Sequence, residues 1–426
     1  MDNLVGKKLL ILSGVGTHKR LVTAAKALGI YTVVVDYFNP SSASPAKLIS
    51  DEYWNESVLD VELIIQRCIQ EHIDGVITYG SDITQLPYVQ ICNALKLPCY
   101  GNFDLFRCMS NKQLFKDTCV RYGLNIIKEY SEEDIMNREV DFPVFVKPAD
   151  CGGSKGQSIC YDFNELDKAI WKAQDASPTH NVIVEKYIGN TNSFQVTYFF
   201  KDGKGYVIRT ADGYKGSIED QLDRVALCSL SPSIYTDEYM KKVNEQVIIM
   251  LQSMGYKDGP VMLQGFYEHG VFRFYDPGLR FPGTEYEEIL NAIYGINFAQ
   301  AMVIFALTGK MPEMDLNNTM VYLNGGSAAI LYPTLYEGTI KRITGINSIE
   351  QLKYVYAMNV RYNEGDTVMV TNTTKQRFAE IDILADNFND LRNKICNIQN
   401  LIDVYSTSNV SMIYCPFDVN RLGKDE

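Results

Sequence analysis

The fold is decided by the stretch FPVFVKPADCGGSKGQS, which occupies residues 142–158. Its apolar first half ends in Lys147 and predicts a buried strand, followed by a loop rich in glycine and then a second strand. Glycines let a backbone approach an anion closely, Ser154 offers a hydroxyl group, and Lys147 and Lys155 bring positive charge. The pattern suits a polyphosphate. Taken alone, it is better explained as a Gly-rich hairpin turn, so the flanking segments have to decide.

Size and charge bound the class of protein. A chain of 426 residues is too long for one ordinary domain, and we expect two or three. A net charge of -12 argues against nucleic acid or an anionic membrane as the main partner. No apolar run approaches the length of a membrane span, and residues 9–12 are too short for the core of a signal peptide. We therefore expect a soluble, cytoplasmic protein.

The ten cysteines are scattered, without a C-x-x-C pair or a histidine at metal-ligand spacing. This distribution predicts reduced core residues of a cytoplasmic protein. The cysteines in apolar segments include Cys68, Cys92, Cys119, Cys228 and Cys396.

The first 105 residues alternate between short apolar strands and helices, which predicts a doubly wound parallel α/β domain. The predicted strands cover residues 8–13, 31–35, 75–79 and 97–100, and the predicted helices cover 18–28, 58–71 and 84–95.

A dinucleotide site has to be considered in this first domain. Gly14 and Gly16 follow the first strand, and Asp36 ends the second strand, near the position of a Rossmann acidic residue. However, Lys19 occupies the third glycine position of the G-x-G-x-x-G pattern. An NAD-dependent oxidoreductase is therefore a distant alternative.

A helix is predicted from Ser110 to Tyr122, with Ser110 as its N-cap and Gln113 closing a capping box. Lys112 then lies in the first turn, where a lysine opposes the helix dipole. That position makes better sense if an anion lies nearby, although most such lysines are simply solvated.

Further along the chain, β elements dominate. A predicted strand over 181–188 carries Glu185, and two strands over 261–266 and 271–275 deliver Asp276 and Arg280 to one strand end. Exposed Asp/Arg pairs are common and weak, so this pair alone proves little. The other predicted elements are a helix over 164–175, strands over 193–200 and 206–211, an irregular and mobile loop over 212–232, helices over 236–254 and 297–308, β runs over 320–332, 339–343, 355–361, 366–371 and 376–382, and a helix over 387–403.

The order of these parts resembles the ATP-grasp superfamily, in particular biotin carboxylase, single modules of the carbamoyl-phosphate synthase large subunit, and the amino-acid ligases. The resemblance covers residues 1 to about 310. It implies an N-terminal Rossmann-like domain (1–105), a central ATP-grasp domain (106–319, with a lid subdomain at about 142–211), and a small C-terminal α+β extension (320–426).

Carried over residue by residue, the resemblance implies ATP and Mg²⁺ as cofactors. Asp276 matches the carboxylate that bridges magnesium ions, and Arg280 matches the arginine that stabilises the transferring phosphoryl group or the acyl phosphate. The remaining positions match nucleotide contacts: the phosphate lysines Lys112 and Lys147, the closing loop Gly152, Gly153, Ser154, Lys155 and Gly156, the hinge Glu185, Lys186, Tyr187 and Ile188 (with the backbone of Lys186 and Ile188 at the adenine edge), and Gln195 on the following strand.

Three positions depart from the family pattern, and each loses a charge or a ligand. Gln264 replaces an acidic metal ligand, Gly278 replaces an asparagine, and Gln195 replaces a glutamate. Because an amide oxygen can still coordinate magnesium, we expect one firm Mg²⁺ site on the triphosphate and a second that is either weak or completed by substrate or by Glu285.

The leading functional hypothesis is an ADP-forming carboxylate-amine ligase that acts through an acyl phosphate on small-molecule acid and amine substrates, with a homodimer as a possible assembly. Two alternatives stay open. One is a catalytically degenerate nucleotide-binding or scaffold protein, and the other is a carboxylating enzyme like biotin carboxylase. Arg224 and Arg273 are candidate carboxylate binders, although a solvated surface position is the better explanation of each.

Overall fold

The computed structural model describes residues 4–149, 156–189, 192–216, 225–414 and 416–424. The predicted loop residues Gly152, Gly153, Ser154 and Lys155 lie outside the described residues, and so does Arg224.

A four-stranded parallel sheet organises the N-terminal part. Its elements are β1 (Lys8–Leu12), α1 (Lys19–Ala27), β2 (Tyr31–Val35), β3 (Glu52–Trp54), α2 (Val61–Gln70), β4 (Gly75–Ile77), α3 (Gln85–Leu95) and α4 (Phe103–Met109). The strand order is β3-β2-β1-β4, and all three pairs are parallel. The continuous apolar run of β1 is buried because helices cover the sheet. The predicted parallel α/β class is confirmed for this part.

The predicted strand at 97–100 is wrong, because these residues form no ladder. Tyr100 instead stacks on Tyr88 with ring centroids 4.8 Å apart, and its hydroxyl donates to the carbonyl of Leu279 over 2.9 Å. A short apolar run is used here for side-chain packing rather than for sheet formation.

A small antiparallel sheet follows, in the region predicted as the lid. The elements of this part of the chain are α5 (Lys112–Arg121), α6 (Glu132–Met136), β5 (Val144–Pro148), β6 (Ser158–Cys160), α7 (Phe163–Ala176) and β7 (Val182–Lys186). The strand order is β6-β5-β7, and α7 packs on one face around Leu166, Ala169 and Ala173. This sheet places the end of β5, with Lys147, beside β7, with Glu185.

The cap of α5 differs from the prediction. Asn111, not Ser110, is the N-cap residue, and its side chain accepts a hydrogen bond from the backbone N–H of Leu114 at 3.0 Å. The helix therefore begins at Lys112, and Gln113 contacts Asp117 instead of closing a capping box. Asparagine competes well with serine for this position.

The largest sheet joins the central and C-terminal parts of the chain. The elements of this region are β8 (Ser193–Lys201), β9 (Lys204–Lys215), β10 (Ala226–Ser231), α8 (Thr236–Lys242), α9 (Asn244–Ser253), β11 (Gly259–Glu268), β12 (Val271–Gly278), α10 (Glu287–Tyr294), α11 (Phe298–Thr308), β13 (Ser327–Leu331), β14 (Gly338–Thr344), α12 (Ile346–Glu350), β15 (Val355–Val360), β16 (Thr367–Val368), β17 (Ala379–Ala385), α13 (Phe388–Leu401) and β18 (Asp403–Ser406). Eight strands form one sheet in the order β12-β11-β8-β9-β10-β13-β17-β15. The proposed domain boundary at residue 319 stays a prediction, and this sheet crosses it.

Several predicted element boundaries are wrong. Much of the loop predicted at 212–232 belongs to strands, since β9 runs to Lys215 and β10 begins at Ala226. The helix predicted over 236–254 is divided at Val243 into α8 and α9. The β run predicted from 320 starts with a 3-10 turn over Met320–Gly325.

Two general expectations have mixed outcomes. Cys68, Cys92, Cys119 and Cys228 are free and buried, whereas Cys396 is exposed on α13 and is not a core residue. Across the described residues, no single helix has the length and apolar character to span a membrane, and α10 and α11 pass only when taken together across a 99° bend.

Candidate active site

A buried chain of alternating charges lies beneath the predicted phosphate site. The two oxygens of Glu185 accept from different lysines, from Lys147 over 2.6 Å and from Lys116 over 2.7 Å. Lys116 also pairs with Glu129. Lys116, Lys147 and Glu185 are each at most 4% exposed. Each ammonium group therefore has a fixed direction, which pre-organises Lys147 at the strand end.

The pKa values follow from this arrangement. Burial alone would raise the pKa of Glu185, but the charges of Lys147 and Lys116 hold it below its ordinary value. Burial lowers the pKa of Lys147, and the neighbouring cations Lys116 and Lys112 act in the same direction. An anion placed near Lys147 would relieve that lowering.

Lys112 and Asp276 come together from different elements. Lys112 is the first residue of α5, and its Nζ lies 3.8 Å from Oδ1 of Asp276 near the end of β12. Burial, together with the charge of Asp82, raises the pKa of Asp276, while Lys112, Lys147 and Arg280 oppose that shift. The structure thus gathers Lys112, Lys147 and Asp276, which lie far apart in the sequence.

The strand register places the two candidate metal ligands side by side. Gln264 on β11 pairs with Asp276 on β12 and, on its other side, with Gln195 on β8. A bulge after Gln264 leaves Tyr275 without a partner in the ladder, so Asp276 is re-aimed relative to a regular strand. One carboxylate and one amide oxygen fit a single Mg²⁺ held mainly by a polyphosphate. Among the described residues, no three His, Cys, Asp or Glu side chains converge as a metal cluster.

Arg280 is held by the N-terminal part of the chain. Its Nε and Nη2 donate to the two carboxylate oxygens of Asp82 over 2.5 and 2.8 Å, and its Nη1 donates to the carbonyl of Phe281. Gly278 makes this fold-back possible, because a Cβ atom there would lie 3.2 Å from Cγ of Arg280. This bidentate contact fixes the orientation of the guanidinium. A phosphoryl group that binds Arg280 would have to share the guanidinium with Asp82 or displace Asp82 from it.

The hinge residues are positioned at the end of β7. The backbone N–H of Lys186 donates to the carbonyl of Lys128 over 2.9 Å, and that of Tyr187 donates to Pro143 over 3.1 Å. Within the described part of the chain, the buried Ile188 has no partner for its N–H. The N–H of Ile188 could therefore donate to an adenine edge. Lys186 could offer such an edge only its carbonyl, because its N–H is already bonded to Lys128.

Two further predicted residues have structural contacts. Gly156 has a φ of +73°, and a Cβ atom there would lie 2.6 Å from Cβ of Ala176 and 2.9 Å from Cγ of Pro148. Only glycine fits this close approach beside the loop. Gln195 accepts from Nη1 of Arg209 over 3.0 Å and contacts Sδ of Met262.

The alternative residues of the sequence analysis are occupied elsewhere. Asp36 accepts from the backbone N–H groups of Gly14 and Phe38, both over 2.9 Å. It therefore stabilises the turn after β1. Arg273 pairs with Glu268 at 3.3 Å and donates to the carbonyl of Ile126, which makes it a structural residue here.

A second charged cluster joins α1, the segment after β12 and β17, and sequence reasoning named only its Glu285, as a residue that could complete a metal site. Arg20 on α1 pairs with Glu287 at 2.7 Å and with Glu285 and Glu288, both at 3.5 Å. Glu380 on β17 pairs with Arg361 at 2.5 Å and with Arg377 at 3.7 Å. Asp382, two residues further along β17, is 1% exposed.

The missed residues differ in how visible they were. Lys116 is one helical turn after Lys112, and that spacing puts both on one face of α5, so helical periodicity could have indicated it. Asp82, Arg20 and Asp382 carry no motif. Their roles depend on how the N-terminal sheet and β17 pack against the segment after β12.

Comparisons with known proteins agree with this geometry. Residues 111–263 match the family model described as the carbamoyl-phosphate synthase L chain, ATP binding domain. The solved structure of the L-amino acid ligase from Bacillus licheniformis superposes with a TM-score of 0.75 at 16% identity, covering 95% of this chain and 99% of that one. The chain has the ATP-grasp fold.

Other relatives with this fold differ in their reactions. The biotin carboxylase domain dimer of 2-oxoglutarate carboxylase from Hydrogenobacter thermophilus, solved with MgADP and bicarbonate, gives a TM-score of 0.75 at 17% identity, covering 96% of this chain and 91% of that one. Among curated proteins, biotin carboxylase 1 of Bacillus subtilis is 24% identical over 288 residues, covering 63% of each chain. The formate-dependent phosphoribosylglycinamide formyltransferase of Sulfurisphaera tokodaii is 25% identical over 217 residues, covering 48% of this chain and 53% of the relative.

The chain thus spans between 53% and 63% of the length of these two curated relatives. The resemblance to the ATP-grasp superfamily inferred from the sequence is confirmed, and so is the fold class.

Proposed function

We propose that the protein is an ATP-dependent carboxylate-amine ligase, which forms an amide through an acyl phosphate and releases ADP and phosphate. The observation that carries the proposal is the convergence of Lys112, Lys147 and Asp276 with Arg280 at the ends of β5 and β12. Three cationic groups and one carboxylate suit a triphosphate with a bound magnesium ion.

Each side chain has a defined task in this proposal. Lys112 and Lys147 bind phosphate oxygens, and the chain from Glu185 to Lys116 keeps Lys147 in place. Magnesium, held by Asp276 and Gln264, supplies neutralisation of phosphate charge. Transfer to a carboxylate brings two anions into contact, so positioning and electrostatic stabilisation contribute most of the catalysis.

Arg280 serves the acceptor side. Its bidentate contact with Asp82 is the geometry in which a guanidinium holds a carboxylate. A carboxylate substrate can replace Asp82 there and present its oxygen to the phosphoryl group. Glycines of the 152–156 segment, which we assign to a closing loop, exclude water so that the acyl phosphate reaches the amine.

The test is a coupled assay for ADP with a panel of metabolite acids and amines. ADP release should require both an acid and an amine. Hydroxylamine, a nucleophile that is uncharged at neutral pH, should replace the amine and give a hydroxamate. No hydroxamate with any acid of the panel, or ADP release without an acid, would contradict the proposal.

A second candidate is a protein that binds nucleotide without turnover. It is favoured by Gln264, which stands where a second acidic ligand would complete the metal site, and by the absence of a three-ligand cluster in the described ranges. Calorimetry that shows tight binding of Mg-ATP, combined with no turnover across the panel, would establish it.

For the quaternary structure we propose a homodimer, by analogy with the biotin carboxylase domain dimer of 2-oxoglutarate carboxylase.

A further inference from the structure

The strand β17 puts two acids on the face of the large sheet that is directed at the N-terminal part of the chain. Its alternate residues Ala379, Ile381 and Ile383 pack into the C-terminal core beneath α13. Glu380 and Asp382 therefore point to the opposite face. On that face lie Arg209 of β9 and the neighbouring segment that carries Glu285.

Asp382 is the unexplained member of this cluster. It is 1% exposed, and neither of its carboxylate oxygens receives a hydrogen bond from any described residue. Buried polar groups in folded proteins are nearly always hydrogen-bonded, and an unpaired buried carboxyl group is costly. Such a group points to a ligand that completes it.

The neighbouring cations do not complete it. Arg20 donates to Glu287 through Nη1, and its Nε and Nη2 form ion pairs at 3.5 Å with Glu288 and Glu285 but no hydrogen bond with any described residue. Arg209 donates one hydrogen bond from each of its three nitrogen atoms, to Ser231, Gln195 and Ser229, each over 3.0 Å. Its guanidinium also lies 4.5 Å above the ring of Tyr286.

The position of Asp382 relates it to the reaction centre. Gln195 contacts Sδ of Met262, which is also 3.9 Å from Nη1 of Arg280, so side-chain contacts lead from Arg280 to Arg209. Arg209 interacts electrostatically with Asp382. Segment 281–286, which leads from Arg280 to α10, has no regular secondary structure. A ligand can approach along this segment, where the side chain of Glu285 is 17% exposed.

We propose that Asp382, with Glu285, binds the ammonium group of the amine substrate. This inference rests on the proposed function and names the chemistry of its second substrate. An ammonium group brings three donors and a positive charge, which match two empty carboxylate oxygens and the surplus of acid around Arg20. A metal ion fits less well, because the described residues contain no group of three suitable ligands.

The test compares Asp382→Asn with wild type and with the exposed control Glu337→Gln of the same part of the chain. Asparagine keeps the size of the side chain but removes the charge. We measure thermal stabilisation by the primary amines of the panel in the presence of ADP, and KM for the best of them. Loss of a charged hydrogen bond should raise that KM about tenfold or more. In Asp382→Asn, the KM for ATP and the hydroxylamine-dependent rate should stay within about twofold of wild type. In the control Glu337→Gln, all of these values should stay within the same limit.

Several results would overturn the assignment. One is that no amine of the panel raises the thermal stability of the wild type. Another is that wild type and Asp382→Asn have the same KM for the amine. A third is that a folded Asp382→Asn loses the amine-dependent and the hydroxylamine-dependent rates to the same extent. If Asp382→Asn does not fold, Glu285→Gln has to show the same selective rise in the amine KM, and an unchanged KM there overturns the assignment. Failure of the ligase proposal itself appears separately, as absence of hydroxamate in wild type.

Discussion

Asp276 is the residue on which the proposed chemistry depends most. Its carboxylate pairs with Lys112, and Gln264 beside it brings only an amide oxygen. Asp276→Ala should therefore abolish turnover, with a loss of about 100-fold or more in kcat. Gln264→Glu, the matched change in the next strand, should leave turnover intact or raise it, since a carboxylate binds magnesium more strongly than an amide. Full activity of Asp276→Ala would remove this residue from the site.

Gly156 offers a test of the loop geometry. Alanine at this position would have to adopt a left-handed backbone conformation, which costs about 1–2 kcal/mol. Its Cβ would in addition clash with Ala176 and Pro148. Gly203, with a φ of +77° and no atom within 4 Å of an added Cβ, is a control with the strain alone. Gly156→Ala should lower Tm more than Gly203→Ala in calorimetry. Equal shifts would show that the close approach is unimportant.

At the scale of single residues, sequence reasoning singles out residue types that are unusual for their local element, and their contact with nucleotide stays a prediction. Lys112 at a helix N-terminus and Lys147 at the end of an apolar strand are both of this kind, and both lie in the charged site. The capping prediction failed, because Ser110 and Asn111 are both good caps and local sequence does not decide between them.

The pairing of β5 with β7 makes a pH-dependent element. In the folded protein the pKa of Glu185 lies below its ordinary value of 4.5. Its ion pairs therefore stabilise the fold fully above pH 4.5, and this stabilisation is lost as the pH falls through the lowered folded-state value.

Glu185→Gln should consequently lower the stability of the protein at pH 7, by about 3–5 kcal/mol, because the buried Lys147 loses its carboxylate partner and the buried Lys116 keeps only Glu129. The difference from wild type should shrink below pH 4.5. Thermal unfolding of both proteins over a range of pH measures it. A difference that does not change with pH would mean that the charge of Glu185 is unimportant.

At the scale of elements, periodicity predicted most helices and strands of the described chain, and lengths were harder. The extension of β9 to Lys215 and the start of β10 at Ala226 were missed because these ends are stabilised by pairing, of β9 with β10 and of β10 with the distant strand β13. Such pairing is a tertiary effect and leaves no local period in the sequence.

The whole molecule is held together by the eight-stranded sheet. β13 pairs with β10, and β17 pairs with β13, so the C-terminal part completes the central sheet. A chain that ends at Thr319 would leave β10 as an edge strand with unpaired backbone groups. We expect this variant to be insoluble or rapidly proteolysed, with the full chain as control. A soluble, cooperatively unfolding truncation would show that residues 320–426 form an independent unit.

The assembly of the site also belongs to this scale. Arg280 meets Asp82 across 198 positions of sequence, and Arg20 meets Glu287 across 267. Neither pair was predictable from motif spacing, since each depends on the N-terminal sheet docking on the segment after β12. The resemblance to ATP-grasp proteins indicated the residues proposed to contact nucleotide, and the partners that orient them became visible only in the folded chain.

The central claim is that the site transfers the terminal phosphoryl group of ATP to a carboxylate. The most direct measurement is ³¹P NMR of ATP incubated with the protein, Mg²⁺ and the active acid and amine pair. We predict ADP and inorganic phosphate in equal amounts, matched by the amide that is formed. AMP with pyrophosphate would contradict the account.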